Sequence, residues 1–164
     1  MTTVGPLQPE TVTVDDLIAA VWNVLGTVDD PEYPGISIVE LGLVFSVEVD
    51  GTTAHVGLIP TFSGCPALAM IAEDVSGAVR SVPGLDRAEV RWLTAPTWSI
   101  ERVTPKARAV LADRFTVAVR IGSGPVPCPR CGKPTEERSL FGPSRCRAVH
   151  RCEHCIETIE VLRS

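Results

Sequence analysis

Four cysteines near the C-terminal end of the chain have the spacing of metal ligands. Cys128 and Cys131 form one C-x-x-C turn, Cys152 and Cys155 form a second, and twenty residues separate the two turns. Each turn can present two thiolates to one ion, and two turns complete a tetrahedron around it. A Phe-Gly-Pro sequence at 141–143 could reverse the chain between two strands and bring the turns together. The pattern therefore predicts a zinc ribbon with these four cysteines as ligands.

A site of four thiolates is closed, which favours a structural zinc ion over a catalytic one. The same ligands also suit an iron–sulfur cluster, so a cluster is the alternative to zinc. Cys146 lies between the two turns as an extra thiol. We expect it to be a small buried residue, although it could also exchange with a ligand or react on its own. His150 and His154 are expected at the surface or beside the ligands.

The sixth cysteine, Cys65, stands apart from the others, at the end of a loop that begins at Thr61. Pro66 suits the first position of a helix, and the amides at a helix start stabilise a thiolate. Two interpretations stay open from the residues alone. Cys65 is either a reactive or metal-binding thiol, or a small residue buried at a tight corner.

An acidic loop precedes the first predicted strand and contains Asp29, Asp30 and Glu32. Two prolines and a glycine within residues 29–35 argue against regular structure there. Such a cluster can be a solvated turn. If the fold brings the loop to Cys65, the thiolate and the carboxylates could jointly hold a soft or borderline metal.

The elements that position these loops follow from the spacing of apolar residues. Apolar residues recur at helical spacing, and three helices are predicted, over residues 13–26, 67–80 and 105–113. Alternating apolar residues predict three strands, over residues 43–49, 54–58 and 88–92. The expected fold is α+β, a small mixed sheet with helices packed on it, followed by a small all-β zinc-ribbon domain.

A glycine-rich stretch divides the chain. We expect a flexible leader over 1–12, a first domain over 13–121, a linker over 122–127 and the zinc ribbon over 128–164. The last unit is too small to bury a sufficient core unaided, so a metal would have to hold it together.

Composition bounds the function classes. Of 164 residues, 45% are hydrophobic and 21% charged, an ordinary globular balance. No apolar run approaches the ~20 residues of a membrane span, and a secretory signal pattern is absent, so we expect a cytoplasmic protein. Eleven Asp and Glu but no Lys or Arg precede Arg80, which argues against a nucleic-acid partner. Fifteen Lys and Arg against nine Asp and Glu follow, so two differently charged faces could serve different protein partners.

Several of these segments resemble a known family. Residues 30–32, 38–44 and 61–66 resemble the iron–sulfur assembly domain of the SufT type. The ribbon cysteines, together with Cys146 and the Phe-Gly pair at 141–142, resemble the PaaD-like accessory proteins of the phenylacetyl-CoA epoxidase system. The resemblance covers most of the chain.

The resemblance implies a non-catalytic maturation factor for iron–sulfur clusters or metal centres in phenylacetate degradation. It implies that Cys65 contacts transient iron or an iron–sulfur cluster, with Asp30 and Glu32 nearby. The implied partners are oxygenase or reductase subunits of the epoxidase system and other iron–sulfur assembly proteins. A structural or interaction subunit of the oxygenase complex is the alternative. A thiol enzyme that uses Cys65 or Cys146 is disfavoured, because no convincing base or cofactor loop accompanies either thiol.

Overall fold

The computed structural model describes residues 12–163 as two modules that share one core. The part up to the end of the third helix is called the first module, and the remainder is called the ribbon module. The helices are α1 Val14–Leu25, α2 Leu68–Arg80 and α3 Pro105–Phe115, with a short 3-10 helix at Ile100–Arg102. The strands are β1 Asp29–Asp30, β2 Tyr33–Ser37, β3 Val44–Asp50, β4 Thr53–Leu58, β5 Arg87–Trp92, β6 Val117–Val119, β7 Glu136–Ser139, β8 Arg147–Arg151 and β9 Thr158–Leu162. The predicted α+β fold is confirmed.

The first module is built on a three-stranded sheet of order β3-β4-β5. β3 and β4 form an antiparallel hairpin, and β5 lies parallel to β4 because α2 carries the chain back across the sheet. α2 buries Ile71, Val75 and Val79 against it. α1 starts with the predicted capping box, in which the Thr13 hydroxyl accepts from the Asp16 amide at 3.2 Å. Within residues 12–163, none of the helices is long and apolar enough to cross a membrane.

The acidic loop differs from the prediction. Irregular structure was expected over residues 29–35, but β1 and β2 form a two-stranded antiparallel sheet there, so that prediction is wrong. Pro34 lacks an N–H, but a strand in so small a sheet can tolerate the loss. The Gly35 amide donates instead to Asp29 Oδ2 at 2.7 Å. The turn of this small sheet carries Pro31 and Glu32 to the side of the ribbon module.

The ribbon module has a four-stranded sheet of order β6-β9-β8-β7. β6 follows directly after α3 and pairs in parallel with β9, which lies at the opposite end of the chain. Successive side chains of β6 face opposite sides of the sheet. Val117 therefore packs in the core of the first module with Leu162, whereas Ala118 packs in the ribbon core with Val161.

This shared sheet bears on the domain boundaries, which stay a prediction. The hydrogen bonds between β6 and β9 cross the expected boundary at residues 121 and 122, and Val126 of the expected linker is buried in the ribbon core. The expected leader, residues 1–12, lies outside the described residues except for Val12.

Arg147 is the main polar contact between the modules. Its side chain is only 13% exposed, and its guanidinium lies 3.0 Å from Glu32 Oε1 and 2.5 Å from Glu160 Oε2. The same guanidinium lies over the Tyr33 ring, 5.4 Å from its centroid. The Ser144 hydroxyl also donates to Glu32 Oε1, at 2.7 Å. Arg147 thus ties the acidic loop to β8 and β9.

We predict that Arg147→Ala lowers the free energy of unfolding by about 2 kcal/mol, because it leaves two partly buried carboxylates without their cation. Arg138→Ala is the matched control, since Arg138 also pairs with two carboxylates, Glu136 and Glu153, but at an exposed edge. Exposed pairs contribute little, so the control should lose about 0.5 kcal/mol or less. Urea unfolding of the metal-loaded chain measures both. Equal losses in the two variants would contradict the role given to Arg147.

Candidate functional site

The four ribbon cysteines come together at one point. Their sulfur atoms all lie within 4.8 Å of one another. Cys128 Sγ is 3.7 Å from Cys155 Sγ, and Cys131 Sγ is 3.5 Å from Cys152 Sγ. A regular tetrahedron with metal–sulfur bonds of about 2.3 Å would separate its sulfurs by about 3.8 Å. The donor set therefore fits a tetrahedral metal ion, and the predicted ligands stand where such an ion needs them.

The two C-x-x-C turns have equivalent backbones. The Cys128 amide donates to the Lys133 carbonyl at 2.8 Å, and the Cys152 amide donates to the Glu157 carbonyl at 2.9 Å. The fifth residue of each turn has positive φ, 72° at Gly132 and 61° at Ile156. Positive φ is unfavourable for a β-branched residue. Ile156 therefore shows that the second turn is held in shape by its surroundings rather than by local preference.

The thiols of this cluster have strongly different acidities. The backbone amides of Cys155 and His154 lower the pKa of Cys152 to about 7, against the effect of burial. The Glu157 amide lowers the pKa of Cys155, but burial and the neighbouring thiols Cys152, Cys131 and Cys128 raise it to about 12. Four thiolates so close together repel one another. A cation is thus required before all four can lose their protons.

His150 does not join this cluster. It is buried at 2% exposure, and its Nδ1 lies 3.0 Å from Thr135 Oγ1. The Thr135 hydroxyl donates to the Val126 carbonyl at 2.9 Å, so it accepts from His150 Nδ1–H. Burial also lowers the pKa of His150, which favours the neutral ring. His150 fastens β8 to the first C-x-x-C turn, while His154 is exposed.

A second site lies between the two modules. Cys65 and Glu32 from the first module and Cys146 from the ribbon module border an enclosed cavity of about 20 Å³ and an open cleft of about 670 Å³. Asp30 and Tyr33 border the enclosed cavity only. The fold therefore brings the acidic loop to Cys65, an approach that the sequence could not establish. We call this the interface cavity.

Cys65 stands just outside a helix. α2 begins at Leu68, two residues later than the Pro66 start suggested by the sequence, and the Leu68 amide donates to the Cys65 carbonyl at 3.3 Å. Cys65 is partly exposed, whereas Cys146 is 9% exposed. Burial, followed by the charge of Glu32, raises the pKa of Cys146, and Cys65 adds to the shift. The two thiols are thus within electrostatic reach of each other.

Two polar groups at the interface cavity are poorly compensated. Burial raises the pKa of Asp30, although the Glu32 amide that donates to Asp30 Oδ1 at 2.8 Å opposes the shift. The Tyr33 hydroxyl is buried and has no hydrogen-bond partner, and burial raises its pKa as well. Neither Tyr33 nor Arg147 was identified from the sequence. Their roles depend on how the modules dock, and no local pattern reports that.

Comparison with known proteins divides the chain in a similar way. Residues 18–92 match the family model described as "Iron-sulfur cluster assembly protein", and residues 113–163 match the "PaaD zinc beta ribbon domain". A protein of Escherichia coli (strain K12), named as one subunit of a "Putative 1,2-phenylacetyl-CoA epoxidase", is 32% identical over 154 residues, which are 87% of this chain and 90% of that protein.

The first module also has relatives of its own. The "Fe-S protein maturation auxiliary factor YitW" of Bacillus subtilis (strain 168) is 33% identical over 94 residues, covering 54% of this chain and 90% of that protein. A crystal structure of a domain of unknown function, DUF59, from Bacillus anthracis matches with a TM-score of 0.57 at 33% identity, over 61% of this chain and 95% of that one.

These matches define the class of protein as an iron–sulfur cluster assembly domain joined to a zinc-ribbon domain. Within that class, the chain belongs to the PaaD-like family. The family resemblance noted in the sequence is confirmed. The roles of individual residues as ligands stay predictions.

We predict that Cys152→Ser abolishes metal binding by the ribbon, because three thiolates leave the tetrahedron incomplete. Metal content, measured per chain after removal of loosely bound ions, should fall from one ion to almost none, and the ribbon should lose its ordered amide signals. Affinity in the native chain should rise with pH, since metal replaces thiol protons. Cys65→Ser is the control and should keep its full metal content. Equal metal loss in both variants would contradict the assignment.

We predict that Asp30→Asn raises the thermal midpoint at pH 7. The pKa of Asp30 is higher in the folded chain than the unfolded value of about 3.9, so stability falls as pH rises through the folded pKa. The substitution removes that loss, and its advantage should shrink as pH is lowered toward about 4. Asp29→Asn, in the same turn but exposed, is the control. A lower midpoint for Asp30→Asn at pH 7 would show that the carboxylate stabilises the fold.

Proposed function

We propose that this protein is a maturation factor that carries iron or an iron–sulfur cluster to a client of the phenylacetyl-CoA epoxidase system. The observation that carries the proposal is the interface cavity, where Cys65 and the acidic loop meet beside an open cleft. The names of the relatives support it, since one is named for the epoxidase and another for maturation of Fe-S proteins. The client is an oxygenase or reductase subunit.

In this proposal the two metal environments have different tasks. The ribbon holds zinc in a closed set of four thiolates, which stabilises the fold and offers no position for exchange. The Cys65 thiolate binds the cargo at the open cleft, where a client can reach it. Asp30 and Glu32 provide negative charge that favours an incoming cation. No bond is made or broken in an organic substrate, so the protein acts as a carrier and not as an enzyme.

A second candidate function is that of a stoichiometric subunit of the oxygenase complex. Leu140 and Phe141, at the tip of the β7–β8 hairpin, are 54% and 57% exposed, and the guanidinium groups of Arg145 and Arg163 lie over the Phe141 ring. An exposed apolar tip with flanking cations suits a protein interface. Stable co-purification in equal amounts would favour this function, whereas transient binding favours the carrier.

We predict that Cys65→Ala slows transfer of iron and sulfide to an apo iron–sulfur reductase by roughly tenfold or more, the scale of metal-site losses. The full chain is loaded without oxygen, and the activity regained by the reductase is followed with time. Ser63→Ala, an exposed position in the same loop, is the control and should transfer like the native chain. Equal rates for Cys65→Ala and the native chain would refute the carrier role of this thiol.

A further inference from the structure

Cys65 and Cys146 share an environment although they belong to different modules. Both residues border the enclosed cavity, and both border the open cleft on its other side. The pair therefore forms part of the wall between the two spaces. Cys146 reaches this position because the turn before β8 is fastened to Glu32 by Ser144 and Arg147.

The Tyr33 hydroxyl is an independent sign that a ligand belongs here. Tyr33 is 4% exposed, borders the enclosed cavity, and has no hydrogen-bond partner for its oxygen. A buried hydroxyl without a partner is costly and rare. A metal centre with a bound water or sulfide at this point would supply the missing partner.

The charges around the cavity also call for a cation. Arg147 is already shared between Glu32 and Glu160, and the exposed Arg145 lies over the Phe141 ring. Asp30 and the two thiols are left without a cation of their own among these contacts. Two sulfurs and a carboxylate together are a donor set for Fe²⁺ or a similar thiophilic ion.

We propose that Cys146 completes the iron site of Cys65, so that one thiolate from each module binds a single metal centre across the interface, with Asp30 beside it. The inference rests on the proposed function, in which Cys65 carries iron. Each thiol releases its proton to solvent as its sulfur–metal bond forms, and no electron is transferred. The ribbon module would then be part of the cargo site as well as a separate metal-stabilised unit.

The two cavities separate two forms of the cargo. The enclosed cavity of about 20 Å³ has room for one water molecule or one ion. The open cleft of about 670 Å³ has room for a cluster. Binding is therefore tested with Fe²⁺ alone and with Fe²⁺ plus sulfide, and the stronger response identifies the form that the site prefers.

The test uses the full chain with zinc in its ribbon, kept free of oxygen and titrated with Co²⁺ as a spectroscopic substitute for Fe²⁺. The native chain should bind one Co²⁺ in addition to its zinc, with thiolate-to-cobalt absorption. Cys65→Ala and Cys146→Ala should each weaken this binding by roughly tenfold or more, because a two-thiolate chelate is lost. The double variant should lose little beyond either single one, the mark of a shared site. Ser63→Ala is the control.

Three results would overturn the inference. Cys146→Ala could bind Co²⁺ within about twofold of the native chain. The native chain could bind two extra ions with independent losses in the two variants. Alternatively, bound iron could protect Cys65 but not Cys146 from alkylation in the native chain, a measurement that needs no variant to fold. Zinc content of one per chain verifies that each variant keeps its ribbon.

The inference and the proposed function can fail separately. If the native chain transfers its cargo but Cys146→Ala binds and transfers equally well, the shared site is wrong and the carrier function stands. If the native chain binds Co²⁺ through both thiols but transfers nothing to the reductase, the carrier function is wrong and the shared site stands.

Discussion

The buried guanidinium of Arg147 determines how the two modules meet. It lies between Glu32 of the acidic loop and Glu160 of β9, and it covers the ring of Tyr33. A cation so enclosed is stable only with its partners in place, because an unpaired buried charge costs several kcal/mol. The pairing of β6 with β9 supplies a second, backbone link. Together they bring the turn that carries Cys146 to the wall of the interface cavity.

This arrangement gives one small chain two metal environments of opposite character. The ribbon site is closed, with four sulfurs within 4.8 Å and matched backbone bonds in both turns. Such a site holds its ion and stabilises a unit too small to fold unaided. The interface cavity has incomplete compensation at Asp30 and at the Tyr33 hydroxyl, and an open cleft beside Cys65. Incomplete compensation suits a site that must accept a cargo and release it.

The parts of the structure that were predictable from the sequence are those set by local chemistry. The three helices and the β3–β4 hairpin follow from apolar periodicity and the Asp50-Gly51 turn, and the four sulfurs meet as their spacing indicates. The strands β1 and β2 were missed because proline and glycine argued against them. The link between Cys65 and Cys146 was out of reach. It depends on β6 pairing with β9 and on Arg147 reaching Glu32, contacts between residues far apart in the chain.

The central claim is that the ribbon metal and the iron cargo occupy separate sites in one chain. Counting both metals during iron loading tests it most directly. The full chain, prepared without oxygen and with zinc in its ribbon, is incubated with Fe²⁺ and sulfide, and zinc and iron per chain are measured together. The account predicts that zinc stays at one per chain while iron is bound. Iron uptake matched by an equal loss of zinc would mean that the two metals compete for the four ribbon cysteines, and would contradict the account.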